Sequence, residues 1–149
     1  GLYNGEEFKP LLKHANLTKE NIQQAITNTK LLITFNGASF DLPMIHHHYP
    51  NTIPSIPHLD LRHLCKQIGL TGGLKSIEKQ LGIKRKNHLV EQLYGGDAVL
   101  LWRKYCATED EHYLKLLIEY NQEDVINLET ILEHCISHLK KNLPLYRKD

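Results

Sequence analysis

The chain contains 149 residues, a length that suffices for one ordinary domain with a substantial hydrophobic core. Its 18 basic and 17 acidic residues give a net charge of +1 with histidine neutral, which excludes a uniformly basic, histone-like protein but allows a local basic patch. Hydrophobic residues make up 41% and charged residues 23%, a balance typical of a globular chain. No apolar run approaches the roughly 18 residues of a membrane span, so we expect no membrane partner.

The first part of the chain alternates between short strand and helix signals. We predict a strand within residues 7–12, a helix over 16–28, a dense apolar strand over 31–35, a helix from about 40 to the residue before Pro50, and a strand over 57–60. The strand over 31–35 is short and wholly apolar, a pattern typical of a central strand buried on both faces. Strands interleaved with helices predict an α/β fold in a single domain over 1–149.

The second part of the chain is predicted to be helical. Helices are expected over 61–68, over 74–81 with Gly82 as a left-handed terminator, and from about 95 to 106 with Asp97 as N-cap. A last helix of about 30 residues begins with a capping-box pattern, Thr108 followed by Glu111. Its apolar stripe recurs at steps of three and four through residues 114, 117, 121, 125, 128, 132, 135 and 139.

The three cysteines are Cys65, Cys106 and Cys135. Their number is odd and no pair has the C-x-x-C spacing, which argues against a disulfide framework and for a reducing compartment, the cytoplasm. We expect all three to be small buried apolar residues.

A first candidate site follows the apolar strand at Asn36-Gly37 and continues to Asp41. Strand ends are where sites form in open α/β sheets. Asn36 tolerates unusual backbone angles and offers an amide, Gly37 permits close backbone approach, and the Asp41 carboxylate suits a hard cation such as Mg²⁺. From the residues alone, the simpler interpretation is an N-cap at Asp41 and an ordinary Asn-Gly turn.

A second candidate site lies on the last helix, where Tyr120 and Asp124 are four residues apart and therefore neighbours on one face. A carboxylate that holds a metal beside a phenol that orients a water is one interpretation. A tyrosine ring packed on the core beside a solvated aspartate is the other. Two-metal phosphodiester hydrolysis needs several carboxylates from separate elements around ions about 3.5–4 Å apart, and Asp41 and Asp124 alone are too few.

Longer stretches around both sites resemble a known family. Residues 32–43 resemble the second exonuclease motif of the DEDD 3′–5′ exonuclease superfamily, and residues 119–125 resemble its third motif. The histidine class of that superfamily carries His where this chain has Glu119, so the resemblance is to the tyrosine class. Residues 58–62, 73–78 and 96–102 are similar to the YprB-type RNase H-like domain.

The resemblance implies a ribonuclease H-like fold, with a central mixed sheet flanked by helices, and metal-dependent release of nucleotides from the free 3′ end of DNA or RNA. It implies two Mg²⁺ or Mn²⁺ ions, with Asp41 and Asp124 as metal ligands and Tyr120 orienting the attacking water. Asn36, Gly37 and Phe40 are implied to contact the terminal nucleotide.

The family's first motif, Asp-x-Glu on the first strand, has no counterpart in residues 1–12. The segment 2–5 has the pattern of a hairpin strand entering a turn, so we expect an N-terminally incomplete domain whose first strands precede Gly1. The alternative is a catalytically inactive RNase H-like module that binds nucleic acid or protein. A sheet without its first strands would have an open edge through which two copies could pair.

Other polar clusters receive structural interpretations. The histidines 46–48 point in different directions on a helix and are expected at the surface. Asp60 and Asp97, each at the start of an element, are expected to be structural caps. The basic run 84–86 is either a solvated face or a contact for phosphates.

Overall fold

The short apolar runs and the amphipathic stretches form four strands and seven helices within residues 1–93 and 95–142, the part of the chain that the computed structural model describes. The strands are β1 (Leu2–Tyr3), β2 (Phe8–Lys9), β3 (Leu32–Thr34) and β4 (His58–Asp60). The helices are α1 (Lys19–Ile26), α2 (Asp41–His48), α3 (Leu61–Gln67), α4 (Leu74–Leu81), α5 (His88–Gln92), α6 (Gly95–Thr108) and α7 (Glu111–Asn142). None of these helices is long and apolar enough to cross a membrane.

The strands pair two by two within the described residues. β1 and β2 are antiparallel, with Leu2 opposite Lys9, and β3 and β4 are parallel, with Ile33 opposite Leu59. The prediction of a strand buried on both faces is wrong: all three residues of β3 are only partly buried and Leu31 before it is 45% exposed. The physical reason is that β4 is the one strand paired with β3 in the described part of the chain.

Helix α7 is the element that organises the packing. It runs unbroken for 32 residues, about 48 Å at 1.5 Å per residue, and contacts α3, α4, α5, α6, β1 and β3. The predicted stripe faces this packing, and its residues Leu128 and Cys135 join the core with Ile131. The remaining buried residues of this core come from α3 and α4, namely Leu61, Cys65 and Ile77. The long helix therefore holds both strand pairs and the helices of the second half together.

Helix ends follow local hydrogen bonding, and two predicted N-caps are wrong. The Oδ1 atom of Asp110 accepts a hydrogen bond from the backbone N–H of His112 at 2.9 Å, so α7 begins after Asp110 and Thr108 ends α6. Asp97 lies inside the first turn of α6. The terminator at Gly82 is confirmed, with φ of 70°.

Two of the three cysteines are buried as predicted. Cys65 and Cys135 pack against each other with their Sγ atoms 3.8 Å apart, and burial raises the pKa of the Cys65 thiol to about 12. The prediction is wrong for Cys106, which is exposed on α6. All three are free thiols.

Candidate active site

The loop between β3 and α2 is held in place by the Asp60 carboxylate at the end of β4. Asp60 accepts hydrogen bonds from the backbone N–H groups of Asn36 (2.7 Å), Ala38 (3.1 Å) and Arg62 (3.0 Å). The first two bonds fix the loop, and the third caps α3. The prediction that Asp60 is a structural cap is confirmed, and its carboxylate also orients the segment that leads to Asp41.

Asn36 and Gly37 have clear local roles in this loop. Asn36 adopts the left-handed conformation with φ of 64°, and its Oδ1 atom accepts a hydrogen bond from Nη1 of Arg62 at 2.8 Å. The Gly37 N–H donates to Oγ1 of Thr34 at 3.1 Å, and a Cβ atom on Gly37 would lie 2.5 Å from that side chain. The tight turn therefore explains both residue types, and contact with a nucleotide stays a prediction for both.

Phe40 and Asp41 stand at the exposed start of α2. Phe40 is 65% exposed although it is a large apolar residue, which leaves its ring available for stacking. Asp41 is the first residue of the helix, so the alternative that it acts as the N-cap is wrong. Desolvation and the nearby Asp60 raise the pKa of Asp41, and the positive α-amino group of Gly1 opposes this shift.

Tyr120 and Asp124 lie on α7, one helical turn apart. The alternative of a solvated aspartate is wrong, because the Asp124 side chain is only 24% exposed and its Oδ1 atom lies 2.5 Å from Nη2 of Arg85. Burial raises the pKa of Asp124 even though the Arg85 guanidinium opposes the shift. Burial and the Asp124 carboxylate also raise the pKa of Tyr120, so its phenol stays protonated at neutral pH.

Arg85 is the site residue that sequence reasoning missed. Its guanidinium is 2% exposed and makes two hydrogen bonds of 3.0 Å to the Glu78 carboxylate, so the interpretation of the basic run as a solvated face is wrong at this position. The flanking Lys84 and Lys86 are exposed. A signal was present in α4, where Glu78 lies in the apolar stripe of positions 74, 77, 78 and 81: a carboxylate on a buried helix face requires a cation.

Lys75 and Asp97 join Arg85 as charged residues near Tyr120. Lys75 Nζ is 5.4 Å and Arg85 Cζ is 5.2 Å from the centroid of the Tyr120 ring, distances at which cations are attracted to an aromatic face. Asp97 on α6 contributes to the raised pKa of Tyr120 and opposes the lowering of the pKa of Lys75. Asp97 is thus a charge beside the candidate site rather than the predicted cap.

The α-amino group of Gly1 connects the two predicted sites. Desolvation lowers its pKa, while both Asp41 and Asp124 raise it, so both carboxylates lie within electrostatic reach of this one group. Gly1 packs closely on α7, since a Cβ atom there would lie 2.4 Å from Oδ1 of Asn121. Asp41 and Asp124, 83 positions apart in the sequence, therefore both lie within electrostatic reach of the first residue.

The donor chemistry at this point fits a divalent cation in part. Mg²⁺ is commonly bound through one or two carboxylates and keeps several waters, which Asp41 and Asp124 satisfy. No group of three or more His, Cys, Asp or Glu side chains in residues 1–93 and 95–142 is arranged to hold a metal ion. Two carboxylates are too few for a two-ion centre, which requires additional acidic ligands.

A family model described as RNase_H superfamily (RNase_H_2) matches residues 2–136, so the chain belongs to the RNase H superfamily. Membership suggests a hydrolase that acts on nucleic acid, in a superfamily whose nucleases usually use divalent metals. No curated protein and no solved structure matches the chain significantly.

The Asp60 hydrogen bonds predict how stability responds to acid. Burial raises the pKa of Asp60, but the three backbone N–H donors and His63 together lower it by more. The pKa of Asp60 therefore lies below its ordinary value of 3.8. A carboxyl group with a depressed pKa stabilises the folded state above its unfolded pKa, and this contribution is lost as the pH falls through the folded value. We expect the free energy of unfolding to fall as the pH drops below about 4.

The Asp60→Asn variant should be less stable at neutral pH by about 1–3 kcal/mol and should lose less on acidification. Denaturant titrations at several pH values measure both effects. Glu133→Gln, an exposed position on α7, is the control. An Asp60→Asn protein whose stability falls with acid as steeply as the Glu133→Gln protein would contradict this role.

Proposed function

We propose that this chain is the RNase H-like domain of a metal-dependent 3′–5′ exonuclease, of the tyrosine class of the DEDD superfamily and the YprB type. The observations that carry the proposal are the RNase H superfamily match over residues 2–136 and the position of Tyr120 one helical turn from the largely buried Asp124. Superfamily membership supports the substrate class, nucleic acid.

Each residue of the site has a distinct role in this proposal. Asp41 and Asp124 hold the divalent cations, Mg²⁺ or Mn²⁺, which when bound activate a water and stabilise the leaving oxygen. The protonated phenol of Tyr120 orients that water, as its raised pKa permits. The exposed ring of Phe40 stacks on the terminal base, and the Asn36-Gly37 turn lines the path of that nucleotide.

The proposal includes the rest of the metal centre and of the sheet. A two-ion centre requires more acidic ligands than Asp41 and Asp124, so the proposal includes further carboxylates in the natural protein. On this view the β1–β2 and β3–β4 pairs belong to one central mixed sheet, since α7 contacts both β1 and β3. The three free thiols fit a reducing, cytoplasmic compartment.

The test uses the natural protein as its gene encodes it, with Mn²⁺ and single-stranded DNA or RNA. A strand labelled at its 5′ end should yield a ladder of progressively shorter labelled products, and a strand labelled at its 3′ end should release labelled mononucleotide at once. A circular strand of the same sequence should remain intact. Cleavage of the circle at the rate of the linear strand would identify an endonuclease and overturn the 3′-end requirement.

One observation favours a second candidate function, a catalytically inactive binding module. The carboxylate of Asp124 is already paired with Arg85 in this structure. An inactive module would bind a labelled oligonucleotide, seen as a rise in fluorescence anisotropy, with no shortening of the strand in Mg²⁺ or Mn²⁺. Metal-dependent shortening would exclude it.

A further inference from the structure

A buried chain of polar side chains links α4 to the candidate metal ligand on α7. Nδ2 of Asn127 donates a hydrogen bond to Oε1 of Glu78 at 2.8 Å, and Glu78 accepts two bonds from Arg85. Arg85 then reaches Oδ1 of Asp124 at 2.5 Å. Glu78 and Arg85 are 3% and 7% exposed, so water competes little for these groups. We call Glu78 and Arg85 the buried ion pair.

The geometry of the buried ion pair fixes the direction from which Asp124 is held. A guanidinium is planar, and its Nε–H and one Nη group form a fork that matches a carboxylate. In Arg85 this fork, Nε and Nη2, is occupied by Glu78, which locks the plane of the group. Nη2 also donates to Asp124 through its second N–H. The position of the Asp124 carboxylate therefore depends on the plane of the Arg85 guanidinium, which Glu78 fixes.

The negative charge of Glu78 explains why Arg85 does not abolish the attraction of the site for a cation. An arginine alone beside Asp124 would neutralise the carboxylate and repel a cation. Glu78 carries the negative charge that compensates Arg85. The nearby Lys75 interacts with Asp97 as well, so these five groups together keep one net negative charge. Asp124 is thereby oriented by a cation and still able to bind one.

Arg85 also lies against the second candidate residue on α7. Its Cζ atom is 5.2 Å from the centroid of the Tyr120 ring, so one guanidinium contacts both Tyr120 and Asp124. Its Nη1 atom is buried and has no hydrogen-bond partner among the described residues. A buried donor without a partner costs free energy, and such groups are few in native proteins.

We propose that Arg85 is a positioning residue for metal binding: anchored on Glu78, it orients the Asp124 carboxylate toward the divalent cation, while Glu78 preserves the negative charge that the cation requires. This inference rests on the proposed function, because it assumes that Asp124 is a metal ligand. Partners that orient ligating carboxylates typically change metal affinity by about 10- to 100-fold when they are removed.

The test measures Mn²⁺ affinity of the natural protein from the electron paramagnetic resonance signal of free Mn²⁺. Glu78→Gln keeps the shape of residue 78 but leaves the charge of Arg85 uncompensated, so we expect Mn²⁺ affinity to fall by about 10-fold or more. The double variant Glu78→Gln/Arg85→Gln removes both charges and should bind Mn²⁺ more tightly than Glu78→Gln alone. Glu123→Gln is the matched control: it removes one carboxylate next to Asp124, one that bonds to the Lys86 backbone N–H rather than to Arg85.

The outcomes separate this inference from the proposed function. If Asp124→Asn binds Mn²⁺ as tightly as the unaltered protein, Asp124 is not a ligand and the proposed function fails. If Asp124→Asn weakens binding but Glu78→Gln stays within twofold of Glu123→Gln, only the positioning role is overturned. If thermal melting shows that Glu78→Gln does not fold, the double variant decides: affinity below that of the unaltered protein supports the role, and equal affinity overturns it.

Discussion

The Asp124→Asn variant is expected to lose nuclease activity by about 100-fold or more, a larger effect than the loss of a group that merely orients a ligand. Asparagine has nearly the shape of aspartate but lacks the charge that holds a cation. Its side-chain oxygen can still accept the bond from Arg85, whose charge remains compensated by Glu78, so the fold should persist. Asp41→Asn should cause a comparable loss of activity, because it removes the charge of the other proposed metal ligand. The fold should persist here too, since Asp41 is exposed.

The measurement is the rate of mononucleotide release from a linear single strand at saturating Mn²⁺, alongside far-ultraviolet circular dichroism. Glu123→Gln serves as the control, since it makes the same chemical change one position earlier on α7. A folded Asp124→Asn protein that retains the rate of the Glu123→Gln protein would show that Asp124 holds no essential metal.

Replacement of Arg85 by methionine is expected to destabilise the protein by about 3–5 kcal/mol, the range for removing one partner of a buried ion pair. Methionine fills much of the same volume but leaves the Glu78 carboxylate, 3% exposed, with Asn127 as its remaining side-chain hydrogen-bond donor among the described residues. Burial of an uncompensated charge is unfavourable, so Glu78 would take up a proton or the surrounding helices would open. Denaturant unfolding followed by circular dichroism measures the change.

Two further variants distinguish the effect of the buried charge on stability from the effect of side-chain packing. Lys86→Met alters the adjacent basic residue, which is exposed, and should change stability by less than about 0.5 kcal/mol. The double variant Glu78→Leu/Arg85→Met removes both buried charges and should recover much of the lost stability, because hydrophobic replacement of a whole buried ion pair is often neutral. An Arg85→Met protein as stable as Lys86→Met would mean that Glu78 needs no cation.

Periodicity and short turn signals located most of the elements. The steps of three and four on α7 predicted a helix of about 30 residues that packs on one side, because its apolar residues fall on one face. The Asn-Gly turn after β3 and the left-handed Gly82 were also evident, since both depend on local backbone chemistry. Helix α5 was missed because its five residues are too few to show a period.

The burial of β3 could not be judged from its composition. An apolar run predicts a strand buried on both faces, but burial depends on how many neighbours the strand acquires. Here β3 has one neighbouring strand in the described residues, so the run remains half-exposed. The start of α7 was misplaced because Thr108 and Asp110 are both good caps: α6 extends through Thr108, which leaves Asp110 to cap α7.

The candidate site likewise contains residues that the sequence predicted and one that it did not. Asp41, Tyr120 and Asp124 were predicted from motif resemblance and spacing, which identify residue types at fixed offsets. Arg85 was missed because its role depends on Glu78, seven residues away, and on Asp124, 39 residues away, and a basic tripeptide ordinarily indicates a solvated surface. The buried position of Glu78 in the stripe of α4 is the one local feature that pointed to it.

The central claim is that Asp41 and Asp124 hold the same metal centre. The most direct measurement is an anomalous difference map from crystals of the natural protein grown with Mn²⁺. We expect Mn²⁺ density at about 2.0–2.2 Å, the coordination distance of small divalent cations, from carboxylate oxygens of both Asp41 and Asp124. Mn²⁺ density that contacts neither carboxylate, at Mn²⁺ concentrations that support nucleotide release, would contradict it.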